Sequence, residues 1–391
     1  MKTPVRIISI RLDCGAKPPR EDHESIEVYA ASLQKKLKRL MKQCVAAAFD
    51  AIAQVPGAGE PPRDVLTFVT APEFYWNVPW TCIRDVAELR KLYALQTDPV
   101  RRCISEIAAR FDPAQFGRIV FLPGTSAVLF ETSPDDIRDP FEARHPSREP
   151  LEAPPLFESM NYVYAVSNFI SPIQEYGLDE GLPRSVVAFK RHTSRIDYGY
   201  FLRETELTWT FGLGDGTRVE VKRHADLAPQ SNTSQHEDGS VPLLTDGFDN
   251  RLGGVPPFGI DICLDFYKLM GSHHEPGHDF KAPNLRDPRY VIDFVLSYGV
   301  DDQVERFPLP ASLRYTVHND GRANRRISVF EIDHEARTRR GVPVAQAMQF
   351  LPEGARECVA IHEFSVDDGT PAPGGTTAGS ETAAPPHGQG L

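Results

Sequence analysis

The stretch that decides the fold is GIDICLDF, residues 259–266. Its pattern predicts a short apolar strand that runs into Cys263 and is followed by a polar turn and the start of a helix. A side chain at the end of a strand lies at the carboxyl edge of a sheet, where backbone N–H groups of the next turn can face a developing oxyanion. The stretch therefore indicates a position for a nucleophilic thiol.

Two other predicted strands also end on ionisable residues. Residues 65–73, VLTFVTAPE, end at Glu73, and residues 185–190, SVVAFK, end at Lys190. A carboxylate, an ammonium and a thiol, each at the end of a separate buried strand, can meet at one site. We therefore expect Glu73, Lys190 and Cys263 to lie close together.

Composition and charge limit the classes of protein that the chain can represent. It has 391 residues, 41% hydrophobic and 25% charged, with a net charge of −11 and a pI near 5.6. This charge argues against nucleic acid as a partner, because phosphate binding needs a basic face. No apolar run approaches the roughly 20 residues of a membrane span, and the amino terminus lacks the pattern of a signal peptide. We therefore expect a cytoplasmic protein that binds no membrane.

The cysteines and histidines do not form a recognisable metal or disulfide pattern. The six cysteines are widely spaced, without a CxxC pair, at Cys14, Cys44, Cys82, Cys103, Cys263 and Cys358. Neither a disulfide framework nor a zinc ribbon is predicted. The histidine-rich residues 273–278 are broken by Pro276-Gly277, which favours a solvated loop over a zinc site. We expect neither a metal nor an organic cofactor.

Apolar periodicity predicts an α/β fold. Apolar residues recur every three or four positions, as in helices, at residues 24–53, 83–95 and 99–111. Strands are predicted at residues 5–12, 65–70, 118–122, 161–166, 185–190, 290–296, 326–332 and 357–363. Two alternating runs, 206–211 and 217–221, flank a glycine-rich turn and predict a hairpin. Strands alternate with helices through the first half of the chain, which favours the α/β class.

Three segments are predicted to lack regular structure. Residues 131–157 are rich in Pro, Asp, Glu and Arg, which is typical of a surface excursion, and residues 225–254 are expected to form a loop. From about residue 367 the chain is mainly Gly, Pro, Thr, Ala and Ser, and it contains almost nothing to bury. We therefore expect one domain over residues 1–366 and a disordered tail over residues 367–391.

Three short motifs carry a resemblance to a known family. In chain order, Pro72-Glu73, FKRH at 189–192 and GIDICLD at 259–265 resemble the three motifs of the nitrilase superfamily of carbon–nitrogen hydrolases. Three further segments are also similar to that family: the strand VRIISI at 5–10, LPGTS at 122–126 and NYVYAV at 161–166. Each motif alone is a weak signal, whereas the three in order, with matching strands between them, form a specific one. The resemblance covers roughly residues 5–363.

The resemblance implies a fold, a catalytic triad and an assembly. The fold is a four-layer α-β-β-α sandwich. Glu73 is the general base, Lys190 is the cation on the oxyanion side, and Cys263 is the nucleophile. Members of the family pair into homodimers or higher homo-oligomers. Apart from the family resemblance, a nearby ammonium or base raises the thiolate fraction of a cysteine, so these three residue types are suited to catalysis by a thiol.

The chain departs from the family pattern at two points. Lys190 and Cys263 are further apart than the family places them, which implies an insertion within residues 202–254. The family often has a second glutamate after the lysine, and the candidates for this position are Asp197, Glu204 and Glu206.

Residues around the triad bear on the substrate. The sequence Cys263-Leu264-Asp265 is closer to the amide- and carbamoyl-cleaving branches than to the nitrile branch, where Trp-Glu follows the cysteine. The aromatic residues after the base, among them Tyr75 and Trp76, are candidates to contact the substrate.

Each of these residues also has a plain structural interpretation. Cys263 is a small buried hydrophobe in that interpretation, because free cysteines are often buried. Glu73 is then a carboxylate at a helix start, Lys190 is a lysine at the edge of a sheet, and the aromatic residues are core.

The sequence thus favours a hydrolase that cleaves a small amide or carbamoyl substrate through a thioester. Three alternatives stay open. They are a nitrile hydrolase, an acyltransferase that uses an amine in place of water, and a catalytically silent binding or assembly module on the same fold.

Overall fold

The computed structural model describes most of the chain and leaves gaps between the described segments. The described residues are 2–54, 65–132, 154–169, 185–190, 193–223, 258–266, 291–300, 313–322, 327–350 and 357–367. The predicted loop at 225–254, the histidine-rich residues 273–278 and nearly all of the predicted tail lie outside them. Within these ranges, no helix is both long and apolar enough to cross a membrane.

The described residues form two β-sheets and a group of helices. The strands are β1 (Lys2–Arg11), β2 (Leu66–Ala71), β3 (Arg118–Pro123), β4 (Thr125–Glu131), β5 (Leu156–Ser167), β6 (Ser185–Phe189), β7 (Tyr200–Glu204), β8 (Thr208–Gly212), β9 (Arg218–Lys222), β10 (Phe258–Ile262), β11 (Ile292–Ser297), β12 (Tyr315–Asp320), β13 (Ser328–Asp333), β14 (Thr338–Gly341), β15 (Val344–Phe350) and β16 (Glu357–Asp367). The helices are α1 (Ile26–Ala53), α2 (Val86–Gln96), α3 (Asp98–Ala108) and α4 (Pro113–Phe116), with a 3₁₀ turn at Trp80–Cys82.

The larger sheet has the strand order β15-β16-β1-β2-β3-β5-β9-β8-β7, and β4 and β6 also pair with β5. Strands β1, β2 and β3 run parallel, whereas β16 pairs with β1 and β6 pairs with β5 in antiparallel fashion. Parallel strands need long crossover connections, and α1 supplies the connection between β1 and β2. Every residue of β2 is buried, as expected for a strand covered on both faces.

Helices cover one face of the larger sheet. Helix α1 begins at an N-cap, Ser25, whose side chain accepts a hydrogen bond from the backbone N–H of Val28. Its apolar stripe, including Leu37 and Met41, packs in one core with Val69 of the sheet. The three- and four-residue spacing of that stripe explains why the helix lies flat on the sheet.

The opposite face of the larger sheet packs on the smaller sheet, whose strand order is β10-β11-β12-β13-β14. Phe68 of the larger sheet lies 5.1 Å from the ring of Phe258 and 4.8 Å from that of Phe294, both in the smaller sheet. The three rings belong to one buried cluster between the two sheets. This contact fixes the position of β10, and therefore of Cys263, relative to β2.

The structure confirms the mixed α/β class. The predicted helices and the 206–221 hairpin are present with shifts of a few residues at their ends, and β7 adds a third strand to that hairpin. The predicted bounds of the surface excursion, 131–157, are wrong at both ends, because residue 131 belongs to β4 and residues 156–157 belong to β5; residues 133–153 lie outside the described residues. The described residues contain one helical layer and two sheets, which is less than a four-layer sandwich.

Candidate active site

Three strand ends meet where the two sheets pack together. Glu73 follows β2 by two residues, Lys190 directly follows β6, and Cys263 directly follows β10. Nζ of Lys190 lies 2.9 Å from Oε1 of Glu73. The pKa of the Cys263 thiol responds to the charges of both residues. The structure thus brings together the three residues that the sequence placed at one site.

Glu73 lies in the interior, with 0% of its surface exposed. Its Oε1 accepts hydrogen bonds from Nζ of Lys190 and Nδ2 of Asn161, each at 2.9 Å. Burial raises the pKa of Glu73, Lys190 lowers it and Asp197 raises it, and the result is about 7. A carboxyl group with this pKa exchanges protons readily near neutral pH, as a general base must.

The second carboxylate oxygen of Glu73, Oε2, takes no part in the hydrogen bonds with Lys190 and Asn161. Oε2 makes no hydrogen bond of good geometry with any described residue. The thiol of Cys263 is nevertheless close enough to act as a hydrogen-bonding partner that lowers the pKa of the carboxyl group. A thiol donates weakly, so a loose contact of this kind is expected before a substrate binds.

Lys190 is the centre of the charged cluster formed by Glu73, Lys190 and Asp197. Its ammonium donates to Oε1 of Glu73 and to Oδ1 and Oδ2 of Asp197, at 2.7 and 2.9 Å for Asp197. Burial alone lowers the pKa of a lysine, but Asp197 and Glu73 raise the pKa of Lys190 well above its ordinary value. The ammonium therefore keeps its charge inside the protein.

Asp197 is the second carboxylate of the site. The sequence left Asp197, Glu204 and Glu206 open for this position. Both glutamates are exposed, and Glu204 faces Arg223 at 3.2 Å, whereas Asp197 is buried beside Lys190. The Ser194 backbone N–H and hydroxyl also donate to Asp197, at 2.8 and 2.7 Å. The tight turn 194–197 brings this carboxylate to Lys190. Of the three candidates, Asp197 is the nearest to Lys190 in sequence, and this was the feature that favoured it.

Cys263 sits on a sharp bend between a strand and a helical turn. Its φ is +52°, a left-handed conformation that is uncommon for a residue other than glycine. Its N–H donates to the carbonyl of Leu296 at 3.0 Å, and residues 264–266 are helical. Such strain at a candidate nucleophile fits a bend that presents the sulfur at the tip of the strand.

The thiol of Cys263 is protonated at rest. Burial raises its pKa well above the ordinary value, the negative charge of Glu73 raises it further, and Lys190 lowers it. A hydrogen bond from the backbone of Tyr298 also favours the thiolate. The sulfur therefore needs a base at the moment of attack rather than a preformed thiolate.

The turn that carries Glu73 is held by a second segment. The N–H of Phe74 donates to Oγ1 of Thr125, and the N–H of Trp76 donates to the Thr125 carbonyl, both at 3.0 Å. Gly124 has a φ of +79°, and a Cβ there would lie 2.5 Å from the carbonyl oxygen of Pro72. Only glycine fits this close approach.

The aromatic residues after Glu73 divide between two environments. Tyr75 is buried, with its hydroxyl donating to the carbonyl of Leu37 at 2.9 Å. Trp76 is buried as well, and its indole N–H donates to the carbonyl of Pro123 at 2.9 Å. The structure therefore places both predicted substrate contacts in the core on the helical side. Phe74 instead lines a cavity beside the site, together with Trp80.

Comparison with known proteins gives no family. No protein-family model matches the chain, and no curated protein matches it significantly. The functional argument therefore rests on the geometry of the site.

Sequence reasoning missed Asn161 and Tyr298. Asn161 is a polar residue in the otherwise largely apolar end of β5, and that contrast was a signal available in the sequence. The contact of Tyr298 with Cys263 uses its backbone, which no side-chain pattern reveals. In the described part of the chain, no group of three or more His, Cys, Asp or Glu side chains is arranged to hold a metal ion.

Proposed function

We propose that the protein is a thiol-dependent hydrolase that cleaves the carbon–nitrogen bond of a small amide or carbamoyl substrate. The observation that carries this proposal is the meeting of Glu73, Lys190 and Cys263, which come from three strands far apart in sequence. Lys190 bridges Glu73 and Asp197, and Cys263 lies within the electrostatic reach of all three. This is the arrangement that nucleophilic catalysis by a cysteine requires.

The first half-reaction forms a thioester. Glu73 accepts the thiol proton while the sulfur of Cys263 attacks the amide carbon. Lys190 and the backbone N–H of Tyr298 lie near the sulfur and stabilise the negative charge of the tetrahedral intermediate. The carbon–nitrogen bond then breaks, and the amine leaves with the proton that Glu73 held.

The second half-reaction releases the acid. A water molecule gives a proton to Glu73 and adds to the thioester carbon. The carbon–sulfur bond breaks, the carboxylic acid leaves, and the sulfur takes back its proton. Because the pKa of Glu73 is about 7, both the acid and the base form are available near neutral pH.

The proposal also covers the number of layers in the fold, the oligomeric state and the cellular location. We infer a second helical layer over the smaller sheet, which completes a four-layer α-β-β-α sandwich, and a cytoplasmic homodimer or higher homo-oligomer. The motifs at Glu73, Lys190 and Cys263 support this through their resemblance to the nitrilase superfamily.

Ammonia release from a panel of amides and nitriles tests the proposed function. We expect ammonia from amides and none from Cys263→Ala. The matched control is Cys44→Ala, because Cys44 is a buried thiol in α1, on the helical side of the larger sheet. Mass spectrometry of the protein after incubation with an active amide should show an acyl group on Cys263. Incubation with an amine in addition to the amide separates acyl transfer from hydrolysis, because a new amide then forms.

Two results would contradict the proposal in different ways. Turnover of nitriles in preference to amides would favour the nitrile hydrolase. If no compound is turned over and Cys263 resists alkylation in the folded protein, the chain is a binding or assembly module.

A further inference from the structure

Asn161 lies inside β5, beside the carboxylate of Glu73, and none of its surface is exposed. Its backbone is paired on both edges of the strand. It lies opposite Ala127 of β4, and its carbonyl oxygen accepts a hydrogen bond from the N–H of Lys190 at 2.7 Å. Asn161 therefore stands on a fixed part of the sheet, and its backbone is joined directly to the residue that carries the ammonium.

The side chain of Asn161 has one hydrogen-bond partner among the described residues. Nδ2 donates to Oε1 of Glu73 at 2.9 Å, whereas Oδ1 is buried and accepts no hydrogen bond from that part of the chain. The side chain of Asn168, which follows the same strand, instead makes three hydrogen bonds with the backbone groups of Phe111, Gly117 and Ile119. A buried acceptor without a donor lowers stability, so the contribution of the Asn161 amide lies in its contact with Glu73.

The two oxygens of Glu73 differ in their hydrogen bonds. Oε1 accepts from Nζ of Lys190 and from Nδ2 of Asn161, each at 2.9 Å, and two donors on one oxygen fix the rotation of the carboxylate. Oε2 accepts no hydrogen bond of good geometry from a described residue. Donors on an oxygen reduce its affinity for a proton, so Oε2 is the better proton acceptor of the two.

The donor that shares Oε1 with Lys190 is neutral. A second cation in this position would favour the ionised form of Glu73 more strongly and make the carboxylate a weaker base. An amide orients the carboxylate without adding a charge to the cluster, in which one ammonium already lies between two carboxylates. This arrangement is compatible with the pKa of about 7 that burial and its charged neighbours give Glu73.

We propose that Asn161 is a positioning residue of the active site, which holds Oε1 of Glu73 so that Oε2 takes the proton of the Cys263 thiol. The inference rests on the proposed hydrolase activity, and it adds a residue outside the triad and separate roles for the two oxygens. The proton moves from Sγ to Oε2 as the sulfur attacks, and it leaves with the amine when the carbon–nitrogen bond breaks. Asn161 acts through Glu73 and exchanges no proton itself.

Loss of the Asn161 amide should raise the pKa of Glu73, because a hydrogen bond to the charged form of a carboxyl group lowers its pKa. The titratable groups around Glu73 are unchanged by a substitution at residue 161, and they are Lys190, Asp197, Cys263, Cys14 and Tyr198. We therefore expect a pKa of Glu73 that is higher by roughly one pH unit when Nδ2 is removed.

Two variants of Asn161 test this expectation directly. Asn161→Leu has nearly the same volume and lacks the donor, and Asn161→Asp places a second carboxyl group beside Oε1. Carboxyl ¹³C NMR of protein labelled at Cδ of glutamate, with the Glu73 signal assigned from Glu73→Gln, measures the pKa. The pKa should rise in Asn161→Leu and rise further in Asn161→Asp. An unchanged pKa in both variants would overturn the inference.

The kinetics of Asn161→Leu distinguish positioning from a structural role. We expect kcat for an amide to fall about 10- to 100-fold near neutral pH with little change in KM, because the base is misplaced while the remaining contacts stay. The acid limb of the pH profile should move upward together with the pKa of Glu73.

Asn168→Ala is the matched control, because it removes three hydrogen bonds from a buried part of the same sheet. It should lower the free energy of unfolding but leave the acid limb and the pKa of Glu73 in place. If Asn161→Leu behaves in the same way, Asn161 is a structural residue and the inference is wrong.

The NMR measurement also keeps this inference distinct from the proposed activity. A raised pKa of Glu73 in Asn161→Leu would support the role of Asn161 even if the wild type turned over no amide. Amide hydrolysis by the wild type, with an acid limb and a pKa that do not move in Asn161→Leu, would leave the hydrolase in place and overturn the role of Asn161.

Discussion

Two groups of buried ionisable side chains in this protein differ in how they carry charge. The cluster of Glu73, Lys190 and Asp197 keeps its ammonium charged, because two carboxylates contact it. His318 and His362 are equally buried, and burial lowers their pKa values to about 3 and about 4. The comparison shows that, of these two groups, the one that retains its charge is the one in which opposite charges and hydrogen bonds replace water.

The largest effect is expected where the charged cluster loses its cation. Lys190→Met leaves the carboxyl groups of Glu73 and Asp197 buried without a cation between them, although Asn161 and Ser194 still donate hydrogen bonds to them. Breaking a buried pair in this way costs roughly 3–5 kcal/mol, so the free energy of unfolding in urea at pH 8 should fall by about that amount. Amide hydrolysis should fall to background as well, because the oxyanion loses its cation.

The control for this variant is an exposed lysine. Lys91 pairs with Glu27 at 2.7 Å on the surface, where water solvates both side chains. Lys91→Met should therefore keep nearly the stability of the wild type. A similar loss of stability in the two variants would contradict the distinction between buried and exposed pairs.

A second effect concerns the neutral histidines. The folded-state pKa of His318 lies below the ordinary value of 6.5, so the unfolded chain binds the proton more tightly. Its contribution to stability is complete above pH 6.5 and is lost as the pH falls toward 3. Between pH 6.5 and 5 the loss is about 2 kcal/mol. His318→Gln should reduce the pH dependence of the free energy of unfolding by that amount.

An exposed histidine again supplies the control. The side chain of His23 is 85% exposed, and His23→Gln should leave the pH dependence as it is in the wild type. Urea unfolding at several pH values between 5 and 8 measures both variants. If His318→Gln has the same pH dependence as the wild type, burial does not keep this imidazole neutral.

A third effect concerns the coupling inside the charged cluster. The negative charge of Asp197 raises the pKa of Glu73, and that pKa is about 7. Asp197→Asn should therefore move the acid limb of the pH profile of kcat/KM downward by roughly one pH unit. Glu204→Gln, which removes an exposed carboxylate, should leave the limb in place. An upward movement in Asp197→Asn would contradict the assignment of this limb to Glu73.

The smallest effect should follow the loss of one hydrogen bond within the cluster. Ser194→Ala removes the hydroxyl that donates to Asp197 at 2.7 Å, but the backbone N–H of residue 194 still donates at 2.8 Å. We expect a loss of about 1 kcal/mol in the free energy of unfolding. A loss as large as that of Lys190→Met would mean that the hydroxyl, and not the ion pair, holds Asp197.

The triad could be predicted because its residues end strands whose apolar runs are visible in the sequence. Glu73, Lys190 and Cys263 each follow such a run, and the structure brings them together. For the second carboxylate, the sequence identified Asp197 only as one of three candidates. Its selection depends on a tight turn at 194–197, which folds a residue seven positions after Lys190 back onto the ammonium.

The aromatic residues after Glu73 show where prediction from sequence stops. Tyr75 and Trp76 point into the helical core, whereas Phe74 and Trp80 line the cavity. The difference arises from the turn at 72–77, in which Phe74 has a φ of +62°. Side chains in such a turn follow neither the 3.6-residue repeat of a helix nor the two-residue repeat of a strand. Tertiary contacts therefore set the direction of each side chain.

The sequence by itself determined the α/β class, the principal helices and strands, and the three residue types of the site, because periodicity and strand ends are local properties. Only the tertiary structure decided which carboxylate faces Lys190, which aromatic rings line the cavity, and that Lys17 reaches the turn after Glu73. These contacts join residues that are not neighbours along the chain. Their geometry follows from the packing of two sheets against each other, which no short stretch of sequence contains.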